Sequence, residues 1–150
     1  MKRYFHRFQV RATLSEVAKF HQDTRALKLL TPPPVWVTFH EVQPLGENSK
    51  ADFTMWMGPI PLRWVALHTG VDPQSGFTDT QVVGPFASWV HTHWFRVLDE
   101  NTTEVVDDIQ AEPGKHLFWG LVSRLMWLSL PFLFAYREWI TRRTLQGSDQ

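Results

Sequence analysis

The chain has 150 residues, no cysteine, and fifteen basic residues balanced by fifteen acidic ones. This neutral balance gives no net field to attract nucleic acid, and the lack of cysteine excludes disulfides, thiolate metal sites and cysteine nucleophiles. A hydrophobic content of 43% suits one domain over residues 1–150, which we expect in the reducing cytoplasm. Eight Trp and eleven Phe are more ring area than a small core demands, so we expect rings to line a cavity.

The first elements along the chain are a strand and two short helices. Residues 2–10 alternate between two faces, which predicts a strand. Thr13 and Glu16 have the spacing of a capping box, so we expect a helix from there to about residue 20 and a helical turn over residues 24–28. The prolines at 32–34 end this region because they lack amide donors and push the preceding residue out of helical space.

Closely spaced turn signals divide the next part of the chain into six strands of an antiparallel meander. We expect these strands at residues 35–42, 50–57, 62–71, 77–83, 87–98 and 103–111. Residues 116–145 then predict one long helix, with a kink near residues 127–130 caused by Pro131. Its apolar residues at helical spacing are Leu117, Leu121, Leu125, Leu128, Phe132, Tyr136, Trp139 and Ile140.

Three hairpin segments carry a resemblance to a known family. They are GPIPLRW at residues 58–64, FTDTQ at 77–81 and GPFASWVHTHWF at 84–95. In these segments the chain resembles the SRPBCC superfamily of START-like, helix-grip proteins, and in particular a bacterial polyketide cyclase/dehydratase-like subgroup. With residues 103–109 and the long helix, the resemblance covers nearly the whole chain.

The resemblance implies an α+β helix-grip fold. In this fold a curved seven-stranded antiparallel sheet, with two short helices after the first strand, is closed by a long C-terminal helix that encloses a cavity. The activities of the superfamily range from lipid transfer and hormone binding to polyketide cyclisation. The resemblance therefore implies a fold and a cavity rather than one activity.

The most informative polar residues lie on two of the predicted strands. Alternation places Trp89, His91, His93 and Phe95 on one face, which we expect to point inward. A buried carboxylate and imidazole stabilise each other, so we expect Asp107 on the next strand to contact one histidine. This contact is structural, or anchors a ligand, or forms a general acid/base pair. We expect no metal, because two imidazoles and one carboxylate are a weak ligand set, and no cofactor.

Other polar residues are weaker candidates. His68 shares a face with Trp64, so it adds a further polar point to the cavity. Asp79 and Gln81 lie beside a turn, where we expect them to be exposed. The chain shows no nucleophile elbow and no Gly-rich phosphate loop, which disfavours hydrolase and nucleotide-dependent activities.

The long helix is apolar on more than the face needed to cover a sheet. Residues 117–136 contain a single charge, Arg124, and a charge near mid-span disfavours a membrane crossing. A large ligand, a homodimer contact or a peripheral membrane contact each explains the surplus apolar surface, and these alternatives stay open.

We therefore predict that the cavity binds an apolar or aromatic small molecule or lipid, which makes a carrier or sensor the leading class. The predicted cavity walls are Trp64, Trp89, Phe95, Val105, Leu121, Leu125 and Leu128. The predicted polar contacts are His68, His91, His93 and Asp107. A polyketide cyclase/dehydratase-like enzyme using the same histidines is one alternative, and a protein-interaction module using the apolar helix is another.

Overall fold

Seven strands form one antiparallel sheet in the computed structural model, which describes residues 1–147. The strands are β1 (Lys2–Val10), β2 (Trp36–Val42), β3 (Lys50–Met57), β4 (Ile60–Asp72), β5 (Gly76–Val83), β6 (Ser88–Asp99) and β7 (Thr102–Glu112). Their order across the sheet is β1-β7-β6-β5-β4-β3-β2, so β2 to β7 follow one another as a meander and β1 adds to β7. The predicted sheet is confirmed, while the last three residues of the predicted domain lie outside the described residues.

Three helices accompany the sheet: α1 (Leu14–Gln22), α2 (Ala26–Leu29) and α3 (Leu117–Gln146). The predicted capping box begins α1, since the Thr13 hydroxyl accepts the Glu16 N–H at 3.3 Å and the Glu16 carboxylate accepts the Thr13 N–H at 2.8 Å. The long helix α3 continues through Pro131 and lies across the concave face of the sheet. There it packs against β1, with 5.5 Å between the ring centres of Tyr4 and Phe134.

The two central strands β6 and β7 place their side chains as the alternation predicts. On β6 the residues Trp89, His91 and His93 are buried, while the residues between them are more exposed. Adjacent carboxylates on β7 point to opposite faces: Asp107 faces His91, and Asp108 pairs with the exposed Arg3 at 2.7 Å on the other side. The concave face of the sheet therefore carries the buried histidines.

Two groups of buried apolar residues stabilise the sheet. The larger lies between the sheet and α3, and includes Trp64 and Trp89. The smaller lies under α1, and it contains Phe95 and Val105 together with Val17 of the helix. The prediction that Phe95 and Val105 wall the cavity is therefore wrong, because α1 covers this end of the sheet and packs against them.

The face of α3 that meets the sheet also differs from the predicted one. Leu121, Leu125 and Leu128, which were predicted to wall the cavity, are more than half exposed, and so are Leu117, Phe132 and Trp139 at the same helical spacing. The buried face carries Leu130 and Phe134 together with the small residues Gly120 and Ser123. Ser123 Oγ accepts the N–H of Gly114 at 2.9 Å. Close approach at these small residues sets the rotation of the helix, whereas apolar spacing fits several faces of a helix that is apolar nearly all round.

Candidate functional site

A cavity of about 360 Å³ lies between the concave face of the sheet, α3 and the segment that joins α2 to β2. Its wall on the sheet side includes Phe53, Trp64 and Trp89, and α3 contributes Leu130 and Phe134. The exposed residues along its lining, which include Pro33, Pro34, Ser129 and Phe132, mark where it opens to the surface. This volume is within the range of small-molecule sites, which are mostly apolar with a few polar groups.

Five buried or half-buried side chains, which we term the polar cluster, form one end of this cavity. They are His68 on β4, Asp79 on β5, His91 and His93 on β6, and Asp107 on β7. The strand register brings them together, because His68 lies opposite Asp79, Asp79 opposite His91, and His93 opposite Asp107. Asp107 lies behind the two histidines of β6, and the other four members line the cavity.

Within the polar cluster, the His93 ring lies between two carboxylates. His93 Nε2 is 3.1 Å from Asp79 Oδ2, and His93 Nδ1 is 2.9 Å from Asp107 Oδ1. The first contact is a hydrogen bond, whereas the second has an ion-pair distance without the angle of a hydrogen bond. The same holds for His68 Nε2 and Asp79 Oδ1, which are 2.9 Å apart. The far side of His68 is held by Ser49, whose hydroxyl lies 2.9 Å from Nδ1.

The two carboxylates determine which histidine carries a charge. Burial disfavours a charged His93, but contacts with Asp107 and Asp79 outweigh burial and raise its pKa to about 9. Burial and the nearby His93 charge lower the pKa of His91 to about 4, against the effect of its hydrogen bond to Asp107. Although burial alone raises the pKa of both carboxyl groups, their histidine contacts hold these pKa values well below the usual range. At neutral pH His93 is therefore an imidazolium between two carboxylates, beside a neutral His91.

Two further polar side chains line the cavity next to the polar cluster. His21 Nδ1 donates to the carbonyl oxygen of Val17 at 2.9 Å, so the neutral ring keeps Nε2 as an acceptor. Burial lowers the pKa of His21 to about 4. Arg137 Nε donates to the carbonyl oxygen of Leu30 at 3.2 Å, and its guanidinium lies 5.2 Å from the centre of the Phe134 ring. Arg137 forms no ion pair with any carboxylate of residues 1–147.

Comparison with solved structures finds this architecture in other proteins. A START superfamily protein from Mycobacterium smegmatis superposes with a TM-score of 0.68 at 12% identity, over 97% of each chain. The aromatase/cyclase Zhui from Streptomyces sp. R1128 gives a TM-score of 0.66 at 17% identity, over 95% of each chain. The chain has the START-like, helix-grip fold. Norcoclaurine synthase from Thalictrum flavum shares it, with a TM-score of 0.69 at 12% identity over 99% of this chain and 88% of that one. No family model and no curated protein matches the sequence.

Within the helix-grip fold, five of the predicted site residues line the cavity. They are Trp64, His68, Trp89, His91 and His93. Asp107 contacts both histidines of β6 from behind, at 2.9 Å in each case. Leu121, Leu125 and Leu128 lie on the opposite side of α3, where they are 56%, 57% and 73% exposed, so their predicted place in the wall is corrected.

Three polar residues of the helix-grip cavity were not predicted from the sequence: Asp79, His21 and Arg137. Asp79 was expected at the surface, but it joins His68 to His93 inside the cavity. Its shared parity with the buried Phe77 on β5 was the available signal. Gln81, also expected at the surface, is half-buried and brackets Phe86 with hydrogen bonds to its backbone N–H and C=O. His21 and Arg137 lie on helices, where no motif distinguishes them.

The polar cluster also contains a donor set that is chemically suited to a metal ion. One donor atom each from Asp79, His91 and His93 lies within 4.8 Å of the others. Two imidazoles and one carboxylate suit zinc or iron, although a closed structural zinc site has four protein ligands. These side chains already balance one another, because the imidazolium of His93 lies between two carboxylates. The expectation of no metal stays a prediction.

Proposed function

We propose that the cavity binds an apolar or aromatic small molecule whose polar group points toward the polar cluster. The observation that carries this proposal is the division of the cavity: aromatic and aliphatic walls meet one end of buried histidines and aspartates. Burying apolar ligand surface releases about 25 cal/mol per Å². The polar end then selects among ligands, because a ligand without a matching group leaves buried polar atoms unpaired.

The side chains beside the cluster define the matching polar group. His21 offers the lone pair of Nε2, and Arg137 offers guanidinium N–H donors that no carboxylate of residues 1–147 engages in an ion pair. A ligand with a hydroxyl group satisfies the acceptor, and a carbonyl or phenol oxygen satisfies the donors. Norcoclaurine synthase, which shares the fold, was solved in complex with dopamine and hydroxybenzaldehyde, and this supports an aromatic, oxygen-bearing class of ligand.

The test compares two aromatic probes, 2-naphthol and naphthalene, by calorimetric titration. We expect both to bind, and 2-naphthol to bind about tenfold more tightly because hydrogen bonds to charged groups contribute about 1.5 to 3 kcal/mol. Ala66→Phe, which fills the cavity from β4, and Met126→Trp, which fills it from α3, should each weaken both probes at least about tenfold. Val82→Phe, at an exposed site, is the matched control.

The outcomes of this titration separate the alternatives. The proposal would be contradicted if the cavity-filling variants fold like the wild type and bind both probes with unchanged affinity, because binding would then occur outside the cavity. Equal affinity for the two probes would show that His21, Arg137 and the polar cluster play no part in recognition. Native mass spectrometry of the purified protein, followed by organic extraction, then identifies any molecule that copurifies at about one per chain.

A cyclase-like enzyme is the second candidate, and the split pKa values of the cluster favour it. Neutral His21 and His91, with pKa values of about 4, lie near His93, whose pKa is about 9. Paired groups with pKa values pushed apart provide a base and an acid in one site. The similarity to Zhui aromatase/cyclase is consistent with this chemistry at the level of fold. The test uses a poly-β-ketone thioester as the probe. If the protein is a cyclase, the double variant His91→Gln, His93→Gln should still bind the thioester but no longer convert it. If the protein is a carrier, even the wild type should not convert the thioester.

A third candidate, a protein-interaction module with a filled core, is disfavoured by the cavity. The apolar outer side of α3 nevertheless remains available for a contact outside the cavity, with a second copy of the chain or with a membrane. Cavity binding and an outer contact are compatible, because they use opposite sides of the same helix.

A further inference from the structure

The outer side of α3 exposes a continuous row of large apolar side chains, which we term the outer stripe. Its members are Leu117, Leu121, Leu125, Leu128, Phe132 and Trp139, and they are 51% to 92% exposed. Their spacing of three, four or seven residues places them on one side of the helix. From first to last the outer stripe extends about 33 Å, at 1.5 Å for each residue.

The fold itself does not account for the outer stripe. The opposite side of α3 already covers the sheet through the buried Val122, Leu130 and Phe134. A continuous exposed apolar surface of this kind marks an interaction site in soluble proteins. By length and composition alone, α3 is also suited to cross a membrane, and 22% of its most apolar stretch of 18 residues is buried inside the protein. Crossing would separate Phe134 from Tyr4 and open the cavity, whereas a contact along the outer stripe leaves the fold intact.

The exposed charged side chains along the outer stripe are cations. Residues 113–137 contain no Asp or Glu, while Lys115, Arg124 and Arg143 are exposed cations at its start, its flank and its end. The first acid that follows is Glu138, which is engaged with His6 and Arg142. A second copy of the chain would bring equal cations together without carboxylates to offset them. An anionic lipid surface supplies the complementary charge.

We propose that the outer stripe docks the protein on an anionic lipid surface, with α3 lying along the membrane interface. Leucine and aromatic side chains enter the boundary between headgroups and acyl chains, as in interfacial helices, and Arg124 reaches lipid phosphates from the flank. Trp139, which stacks under the Arg143 guanidinium at 5.3 Å, suits the interface at the C-terminal end.

Docking in this orientation brings the cavity opening near the lipid. Phe132 belongs both to the outer stripe and to the cavity lining, and the exposed Pro33, Pro34 and Ser129 lie along the same opening. An apolar molecule could then pass between bilayer and cavity without crossing water. This consequence rests on the proposed cavity function, whereas the docking itself does not.

The experiment is flotation of the full chain with vesicles of phosphatidylcholine alone and of an equimolar mixture with phosphatidylglycerol. We expect binding to the mixed vesicles that weakens with added salt. The double variant Leu125→Glu, Leu128→Glu should reduce this binding at least about tenfold, and Arg124→Gln about fivefold, since one cation near an anionic surface contributes about that factor. Val82→Glu, a similarly exposed residue on β5, should leave binding unchanged.

Three results would overturn the docking proposal. In the first, the protein does not bind the mixed vesicles; in the second, it binds them but the leucine double variant does not reduce the binding. In the third, light scattering gives the mass of two chains for the wild type and of one chain for the leucine double variant. The last result would identify the outer stripe as a homodimer interface. Titration of the same variants with 2-naphthol keeps the two proposals separate, because the leucines lie outside the cavity and should not change probe affinity.

Discussion

On the concave face of the sheet, the rings of Trp64 and Trp89 meet edge to face with 5.5 Å between their centres, while further along the same face His93 lies between two carboxylates. The apolar wall is stabilised by leaving water, so each of its members contributes largely on its own. The polar cluster loses hydration on burial and is stable only because its charges face one another. The wall therefore tolerates gradual change, and the cluster depends on every member.

Removing one carboxylate should have the largest effect on stability. Asp107→Ala leaves His91 without a carboxylate partner and His93 with Asp79 alone, and breaking a buried ion pair costs about 3 to 5 kcal/mol. The free energy of unfolding from urea denaturation measures the loss. Asp52→Asn, which removes a carboxylate paired with the exposed Arg63, should change it far less. Equal losses in the two variants would show that the cluster is not a distinct unit.

Truncating the apolar wall should also be severe, but only on one side of α3. Phe134 is 1% exposed and packs against both β1 and the polar cluster, so Phe134→Ala should cost about 3 to 5 kcal/mol. Phe132, two residues away and 67% exposed, is the matched control, and its replacement by Ala should cost about 0.5 kcal/mol or less. A larger loss at Phe132 than at Phe134 would mean that the helix is rotated relative to this structure.

The pH dependence of stability should come from the buried histidines, because the apolar wall has no ionisable groups. Folded His93 keeps its proton up to a pKa of about 9, whereas an unfolded histidine releases it near pH 6.5. The unfolded state therefore binds fewer protons across this window, so the free energy of unfolding falls as pH rises, by about 3 kcal/mol in all. Below about pH 6.5 the free energy of unfolding should instead fall as pH falls. His21 and His91 have pKa values of about 4 in the folded protein, so they take up protons when the protein unfolds.

Urea denaturation across this pH range measures both slopes. His93→Gln should remove the alkaline decline, and His116→Gln, at an exposed position before α3, should keep it. An alkaline decline that persists unchanged in His93→Gln would contradict the assignment of the proton to His93.

The smallest effect is expected at the edge of the polar cluster. The Ser49 hydroxyl shares a hydrogen bond with His68 Nδ1 at 2.9 Å, accepts a second from the Gly46 N–H at 3.1 Å, and carries no charge. Ser49→Ala should therefore cost about 1 to 2 kcal/mol, the net contribution of two neutral hydrogen bonds. Thermal unfolding resolves a change of this size, and a loss as large as that of Asp107→Ala would extend the charged network to Ser49.

The sequence predicts the sheet and half of the site because period-two alternation fixes which side chains share a face. His91, His93 and Asp107 could be placed together in this way, although a slip of one residue in register would have separated them. Asp79 was not placed with them, because its shared parity with Phe77 was the one signal on a strand that otherwise mixes polar residues beside a turn. The inner side of α3 was assigned wrongly because small residues at Gly120 and Ser123, rather than large apolar ones, bring the helix close to the preceding loop.

The most direct test of the proposed cavity is an NMR titration of the isotopically labelled protein with 2-naphthol. We expect saturable shifts of the Trp64 and Trp89 indole N–H signals and of the His93 ring nitrogens, all of which belong to the cavity lining. The exposed Trp36, Trp94 and Trp139 should not respond. Saturable shifts at the exposed tryptophans alone, with Trp64, Trp89 and His93 unmoved, would contradict the proposed binding in the cavity.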